Sequence, residues 1–289
     1  MFSFSIELLS IEGNSGGLMM SAGDKAFTGS IPENYDRHMV PLIFASYAAD
    51  IARRAAVLAP NTVLETAAGS GVVTRMLAPT LATDARYVVT DLNQAMLDYA
   101  ARQQSDDSRI SWRQADAQAL PFADATFDLV CCQFGAMFFP DRPSGYREAR
   151  RVLGTGGTFL FNVWDRIEEN IFADDVTNAL ATFFPNDPPR FLARTPHGYH
   201  DVALIRSDLA KAGFTDVRIE TLQAESRAAS ALHVATAYCQ GTPLRNEIEA
   251  RDPDRLQAAT DHAAAAIMDR HGSGEIAAKI QAHVILART

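Results

Sequence analysis

Residues 63–74 read V-L-E-T-A-A-G-S-G-V-V-T: a short apolar run ending on a carboxylate, three small residues at alternate positions, and the opening of a helix. This stretch limits what the chain can become, because a buried strand ends at Glu65 and a helix opens near Val72 only a few residues later. Ala67, Gly69 and Gly71, with Ser70 between the glycines, permit the tight turn and let a ligand lie against bare backbone. The helix start then aims free N–H groups and the positive end of its dipole at whatever occupies the turn. Asp91, twenty residues beyond Gly71, closes a second β-branched and aromatic run, Y-V-V-T-D. A carboxylate at the end of a second strand can accept from both hydroxyls of a ribose, so the two segments together predict an adenosine-bearing cofactor on a doubly wound sheet.

Finer details separate the cofactor classes. Proteins that bind a nicotinamide dinucleotide keep the first strand apolar into G-x-G-x-x-G. Here Glu65 intrudes and Thr74 stands at the third glycine position, which weakens that alternative. The pattern E-x-(G/A)-x-G-x-G followed by a distal acid resembles the class I S-adenosylmethionine-dependent methyltransferases, and within them the type-11 small-molecule group. The family has Gly where this chain has Ala67, and the extra methyl narrows the turn.

The resemblance implies S-adenosyl-L-methionine as cofactor. It also implies a Rossmann-like α/β fold: a doubly wound seven-stranded sheet with the last strand antiparallel, an N-terminal lid helix and helical cap insertions. Roles carry over residue by residue. Glu65, Ala67, Gly69, Ser70 and Gly71 belong to the cofactor turn, Asp91 takes the ribose, and Leu92 and Met96 face the adenine. In Q-A-D-A-Q-A-L-P-F, Asp116 accepts from the adenine amino group and the Ala117 backbone meets a ring nitrogen. Gln133 and Phe134 contact the methionine arm, and Tyr35 lies over the cofactor from the lid.

The run F-D-L-V-C-C-Q-F-G-A-M-F-F, residues 127–139, reads as the central strand and its exit loop. Ligands in doubly wound sheets sit beyond the strand ends where strand order reverses. Met137, Phe138 and Phe139 are therefore expected to face the acceptor, joined by Tyr199 from R-T-P-H-G-Y-H. Methyl transfer from a sulfonium is an in-line displacement that needs alignment and exclusion of water. A base is required only for a neutral hydroxyl acceptor, and His38, His197 and His200 are the candidates, each with the competing reading of an ordinary surface or hydrogen-bonding histidine. The aromatics suit a flat apolar or cationic small molecule methylated at O, N or C. A non-catalytic cofactor-binding protein is a further alternative.

Composition narrows the partners. The chain has 289 residues, a formal charge of −9 and no cluster of Lys and Arg, which argues against nucleic acid and anionic membranes. Of three cysteines, Cys131 and Cys132 are adjacent in a strand and face opposite ways, so a disulfide framework is not expected; no metal-ligand spacing is present. These features predict a reducing cytoplasm. The first residues lack a secretion signal, and no apolar run approaches a membrane span. A homodimer stays open.

The sequence divides into a flexible leader, residues 1–29, and a single methyltransferase domain, 30–289. Within it, 30–60 form the lid segment, 61–164 the cofactor-binding core, and 165–200 and 224–274 cap insertions. Apolar spacing predicts helices over 42–58, 72–77, 146–153 and 202–212, and strands over 110–113, 158–164, 217–222 and 278–287. Asp128 opens its strand far from the chemistry and reads as structural. Asp187-Pro188-Pro189 is similar to the D-P-P-Y motif of nucleic-acid amino-methylators but follows the fifth strand instead of the fourth, and is expected to be a rigid loop.

Overall fold

The computed structural model describes Glu33 and residues 35–289. The expected leader, residues 1–29, lies outside them. The sheet comprises β1 (Thr62–Glu65), β2 (Arg86–Asp91), β3 (Ile110–Gln114), β4 (Phe127–Gln133), β5 (Leu153–Trp164), β6 (Asp216–Ala228) and β7 (Ile276–Arg288). Their spatial order is β3-β2-β1-β4-β5-β7-β6. The first five strands are parallel and β7 runs antiparallel between β5 and β6. This is the doubly wound, seven-stranded sheet with a reversed last strand that the turn pattern implied.

The central strands are apolar along their length because helices cover both faces. Val63, Leu64, Leu129, Val130, Cys131 and Cys132 are all fully buried. Around the sheet lie α1 (Ala45–Leu58), α2 (Val72–Leu77), α3 (Gln94–Gln103), α4 (Arg142–Val152), α5 (Ile171–Phe183), α6 (Phe191–Arg194) and α7 (Val202–Lys211). Between β6 and β7 come α8 (Ala231–Gly241), α9 (Leu244–Arg251) and α10 (Leu256–His271). Strand order reverses between β1 and β4, so the crevice that receives ligands opens at the C-terminal ends of those two strands. At their opposite ends the Asp128 carboxylate accepts from the Asn61 and Thr62 N–H groups, both at 2.9 Å, tying the two strand starts together.

Element boundaries moved where local signals were weak. β6 and β7 are each thirteen residues long, several residues more than the apolar spacing predicts. The extra length of β6 carries Ser226 and Ala228 on its buried side, and such small residues give little strand signal. The helical segment between β6 and β7 therefore starts at α8, beyond the expected residue 224. β5 begins at Leu153, and the pairing shifts between Phe127↔Leu153 and Leu129↔Thr158 as the G-T-G-G segment is absorbed into an irregular strand. α4 starts four residues early, at Arg142, because the Asp141 carboxylate caps the Ser144 N–H at 3.0 Å and Pro143 fits the first turn.

Helices α8 and α10 pack on each other and on α5. Ala235, Ala237, Ala259 and Ala263 are fully buried, and their small side chains allow the helices a close approach. The Asp187-Pro188-Pro189 loop is clamped by the Arg251 guanidinium, which donates to the Asp187 and Pro188 carbonyls at 2.6 and 3.2 Å. On the other side of the crevice, Tyr35–Phe44 is wound as a wide helix with Pro41 inside it and runs directly into α1, whose Tyr47, Ala48, Ile51 and Ala55 are fully buried. No helix among the described residues is long and apolar enough to cross a membrane.

Candidate functional site

The β1–α2 turn brings its groups together through backbone geometry. Ala67, Gly69 and Gly71 all have positive φ, at 52°, 57° and 81°. Gly71 is required by packing as well, since a Cβ there would lie 2.9 Å from the Ala100 Cβ of α3. The turn is pinned from β2: the Ala68 N–H donates to the Thr90 carbonyl at 3.0 Å and the Gly69 N–H to the Asp91 carboxylate at 2.8 Å. The second Asp91 oxygen accepts from the Asn93 N–H at 2.7 Å. Burial raises the Asp91 carboxyl above its ordinary range, and these two N–H groups oppose the rise.

A cleft opens at this point. Asp91, Leu92, Met96, Asp116 and Ala117 wall it together with Ala67 and Gly69 of the turn and with Tyr35, Gln133, Phe134, Phe138 and Phe139. Asn93, Ala115, Gln118 and Gly135 also line it and were not singled out in the sequence. Asn93 and Gln118 are each near neighbours of an expected acid, which is the signal that could have found them. Gly135 could be found only from the fold, because its need arises from a residue far away in sequence.

The structure places other expected site residues elsewhere. Glu65 does not line the cleft: its carboxylate turns into the protein and accepts from Thr74 Oγ1 at 2.6 Å and from the Tyr87 hydroxyl. Burial pushes its carboxyl up to about 7, against the lowering effect of those hydroxyls. The same contact occupies Thr74, which stands where a dinucleotide-binding turn needs its third glycine. Ser70 and Gly71 do not line the cleft either, and Ser70 Oγ is buried with no hydrogen-bond partner among the described residues.

Met137 is 1% exposed and points into the core, away from the acceptor position expected for it. Tyr199 is likewise 1% exposed and lies in a buried cluster, donating to Asp208 Oδ2 at 3.0 Å and accepting from the Tyr146 hydroxyl at 3.3 Å under the Arg142 guanidinium. None of the three candidate histidines lines the cleft. His197 is buried, donates from Nδ1 to the Asp165 carbonyl at 2.9 Å, and is pushed down to about 4 by burial. His200 donates to the His197 carbonyl at 2.9 Å. His38 faces His233 on α8, with ring nitrogens 3.4 Å apart. Burial lowers the His38 pKa, and the proximity of His233 adds to this.

The aromatic residues of the cleft are held by local contacts. Phe134 sits at φ 49°, a strained position for a bulky residue, and is held there by N–H donation to Asn162 Oδ1 at 2.9 Å and by stacking on Trp164 at 3.8 Å between ring centroids. Tyr35 stacks on Phe44 at 5.1 Å, and burial together with the Asp91 and Asp36 carboxylates raises its phenol well above the ordinary range.

These residues fit an adenosine cofactor. A buried carboxylate at Asp91 with two N–H donors keeps lone pairs for a diol, and Gln133 Oε1, buried without a partner among the described residues, can accept from a ligand's donor group. Leu92 and Met96 supply an apolar face for a base.

Comparison with known proteins agrees. Residues 64–161 match the family described as methyltransferase domain. The ubiquinone/menaquinone biosynthesis C-methyltransferase of Rubrivivax gelatinosus is 30% identical over 199 residues, covering 66% of this chain and 76% of the relative. That of Legionella pneumophila strain Corby is 26% identical over 227 residues, covering 72% and 88%. Among solved structures, the YcgJ protein of Bacillus subtilis superposes with a TM-score of 0.54 at 18% identity, over 84% of this chain and 98% of that one. The [4+2]-cyclase SpnF gives 0.52 at 17%, over 85% and 80%. These two likenesses speak for the fold alone, and SpnF illustrates that the fold does not dictate one reaction. The nicotinamide alternative falls with the family match and the buried Glu65–Thr74 contact. The chain thus belongs to the class I S-adenosylmethionine-dependent methyltransferases.

Proposed function

We propose that the protein methylates a flat, largely apolar small molecule at a position that the acceptor's own ionisation makes nucleophilic. The carrying observation is the composition of the cleft lining. Tyr35, Phe134, Phe138 and Phe139 give it an aromatic wall, and among the described residues its carboxylates are Asp91 and Asp116, both of which have roles toward the cofactor. The candidate histidines lie outside it, so the reading assigns them no proton transfer. A phenolate, an enolate-like ring carbon or a free amine needs none. The names of the quinone C-methyltransferase relatives support an electron-rich ring among these.

S-adenosylmethionine supplies the methyl group on a cationic sulfur. Asp91 would hold its ribose, Leu92, Met96, Asp116 and Ala117 its adenine, and Gln133 and Phe134 its methionine arm. The aromatic wall would exclude water and hold the acceptor in line. Small-molecule turnover in the cytoplasm fits the acidic surface, and the proposed domain is a single methyltransferase unit with lid and cap. The test is a screen of phenols, hydroquinones and amines for release of S-adenosylhomocysteine. Turnover of an electron-rich aromatic, rising with pH through the acceptor's own pKa, is expected. Turnover confined to neutral alcohols would overturn the reading, and cofactor binding without turnover of any acceptor would favour a non-catalytic role on the same fold.

A further inference from the structure

The lid segment Tyr35–Phe44 is tied to the cofactor turn through one side chain. The Arg75 guanidinium of α2 donates from Nη1 to the Ser70 carbonyl at 2.6 Å and from Nη2 to Asp36 Oδ1 at 2.8 Å. The other Asp36 oxygen accepts from the Tyr99 hydroxyl of α3 at 3.4 Å. Asp36 thus straddles the two helices that flank the cleft floor, and its neighbour Tyr35 lines the cleft beside Asp91. Both ion-pair side chains are largely shielded, at 27% and 18% exposure, so salt screens them less than a surface pair.

We propose that Arg75 is a positioning residue that couples closure of the lid to the shape of the β1–α2 turn; the proposal rests on the cleft being the cofactor site. The Ser70 carbonyl belongs to the turn itself, so a turn held in its closed form sets the guanidinium plane. That plane fixes where Asp36 can dock, and docked Asp36 places Tyr35 over the cleft. A planar fork with several donors can span two oxygens that a single ammonium cannot. Coupling of this kind is reciprocal in free energy: whatever orders the turn favours the seated lid, and the seated lid tightens the binding of whatever lies beneath it by the same factor.

Hydrogen exchange of residues 35–44 and the dissociation rate of S-adenosylhomocysteine, measured on the full chain, test this with Asp36→Ala, Arg75→Gln and the double variant. Each single variant is expected to speed exchange of the lid amides in the unbound protein and to speed dissociation roughly three- to tenfold, a partly shielded pair's worth. The double variant should do no more than the larger single one. Asp36→Ala leaves α2 and the turn untouched, so its result stands even where Arg75→Gln disturbs the turn. Unchanged lid exchange in Asp36→Ala, or effects of the two variants that add, would overturn the coupling. Failure of the unaltered protein to bind S-adenosylhomocysteine would instead count against the cofactor site, while the exchange measurement still decides whether the latch exists.

Discussion

A Cβ at Gly135, just beyond β4, would lie 2.5 Å from the Ala67 Cβ and 2.7 Å from Cys132 Sγ, so the alanine methyl in the cofactor turn occupies the space that residue 135 leaves empty. The methyl that the sequence suggested would narrow the turn is taken up against bare backbone across the cleft floor. Ala67 nevertheless holds φ 52°, which costs an L-residue roughly 1–2 kcal/mol.

This relationship predicts an asymmetric mutant cycle. Gly135→Ala should destabilise the protein by roughly 1–3 kcal/mol through overpacking and weaken cofactor binding. Ala67→Gly should be near neutral, because relief of backbone strain offsets the added freedom of the unfolded chain. In the double variant the loss at 135 should shrink but persist, since Cys132 Sγ remains in the way. Thermal unfolding of the four proteins checks this; equal loss from Gly135→Ala in both backgrounds would sink it.

Asp91 carries the ribose assignment. Asp91→Asn keeps the shape but presents a donor toward one of two N–H groups, Gly69 or Asn93, and removes the charge that a diol would meet. Affinity for S-adenosylhomocysteine by calorimetry should fall by roughly 1.5–3 kcal/mol, the worth of hydrogen bonds to a charged group. Unaltered affinity would take Asp91 out of the binding site.

Glu65 and His197 should tilt stability with pH in opposite directions. The Glu65 carboxyl is ordinary near 4.5 when unfolded and about 7 when folded, so its stabilising effect is full below pH 4.5 and is lost as pH rises to 7, amounting to about 3 kcal/mol. The melting temperature of Glu65→Gln relative to the unaltered protein should therefore climb across that interval. His197 runs the other way. It is ordinary near 6.5 and about 4 when folded, so stability is full above 6.5 and is lost as pH falls to 4. The deficit of His197→Gln should accordingly be greatest near neutrality and shrink toward pH 4. A pH-independent difference in either variant would contradict the burial that sets these values.

The histidines outside the cleft should be dispensable for chemistry. His200→Ala is expected to keep kcat within about threefold, because general catalysis by a true base is worth on the order of a hundredfold or more. Loss of a hundredfold in kcat with KM unchanged would show that the acceptor end extends to His200.

The amino-acid sequence by itself determined the sheet, the turn and the cofactor class. A strand ending on Glu65, small residues at alternate positions and Asp91 at the next strand end are local patterns, and local patterns survive in one dimension. Tertiary structure alone decided which of those residues meet the ligand. Glu65 and Asp91 are both acids at strand ends, yet one turns inward to Thr74 and Tyr87 while the other opens on the cleft. Met137 and Phe138 are adjacent, and the short helical turn at Ala136–Phe138 sends one to the core and the other to the wall. Gly135 and the Arg75–Asp36 bridge were invisible because each depends on a partner dozens of residues away, and side-chain direction across such distances is set by packing and not by neighbours in the chain.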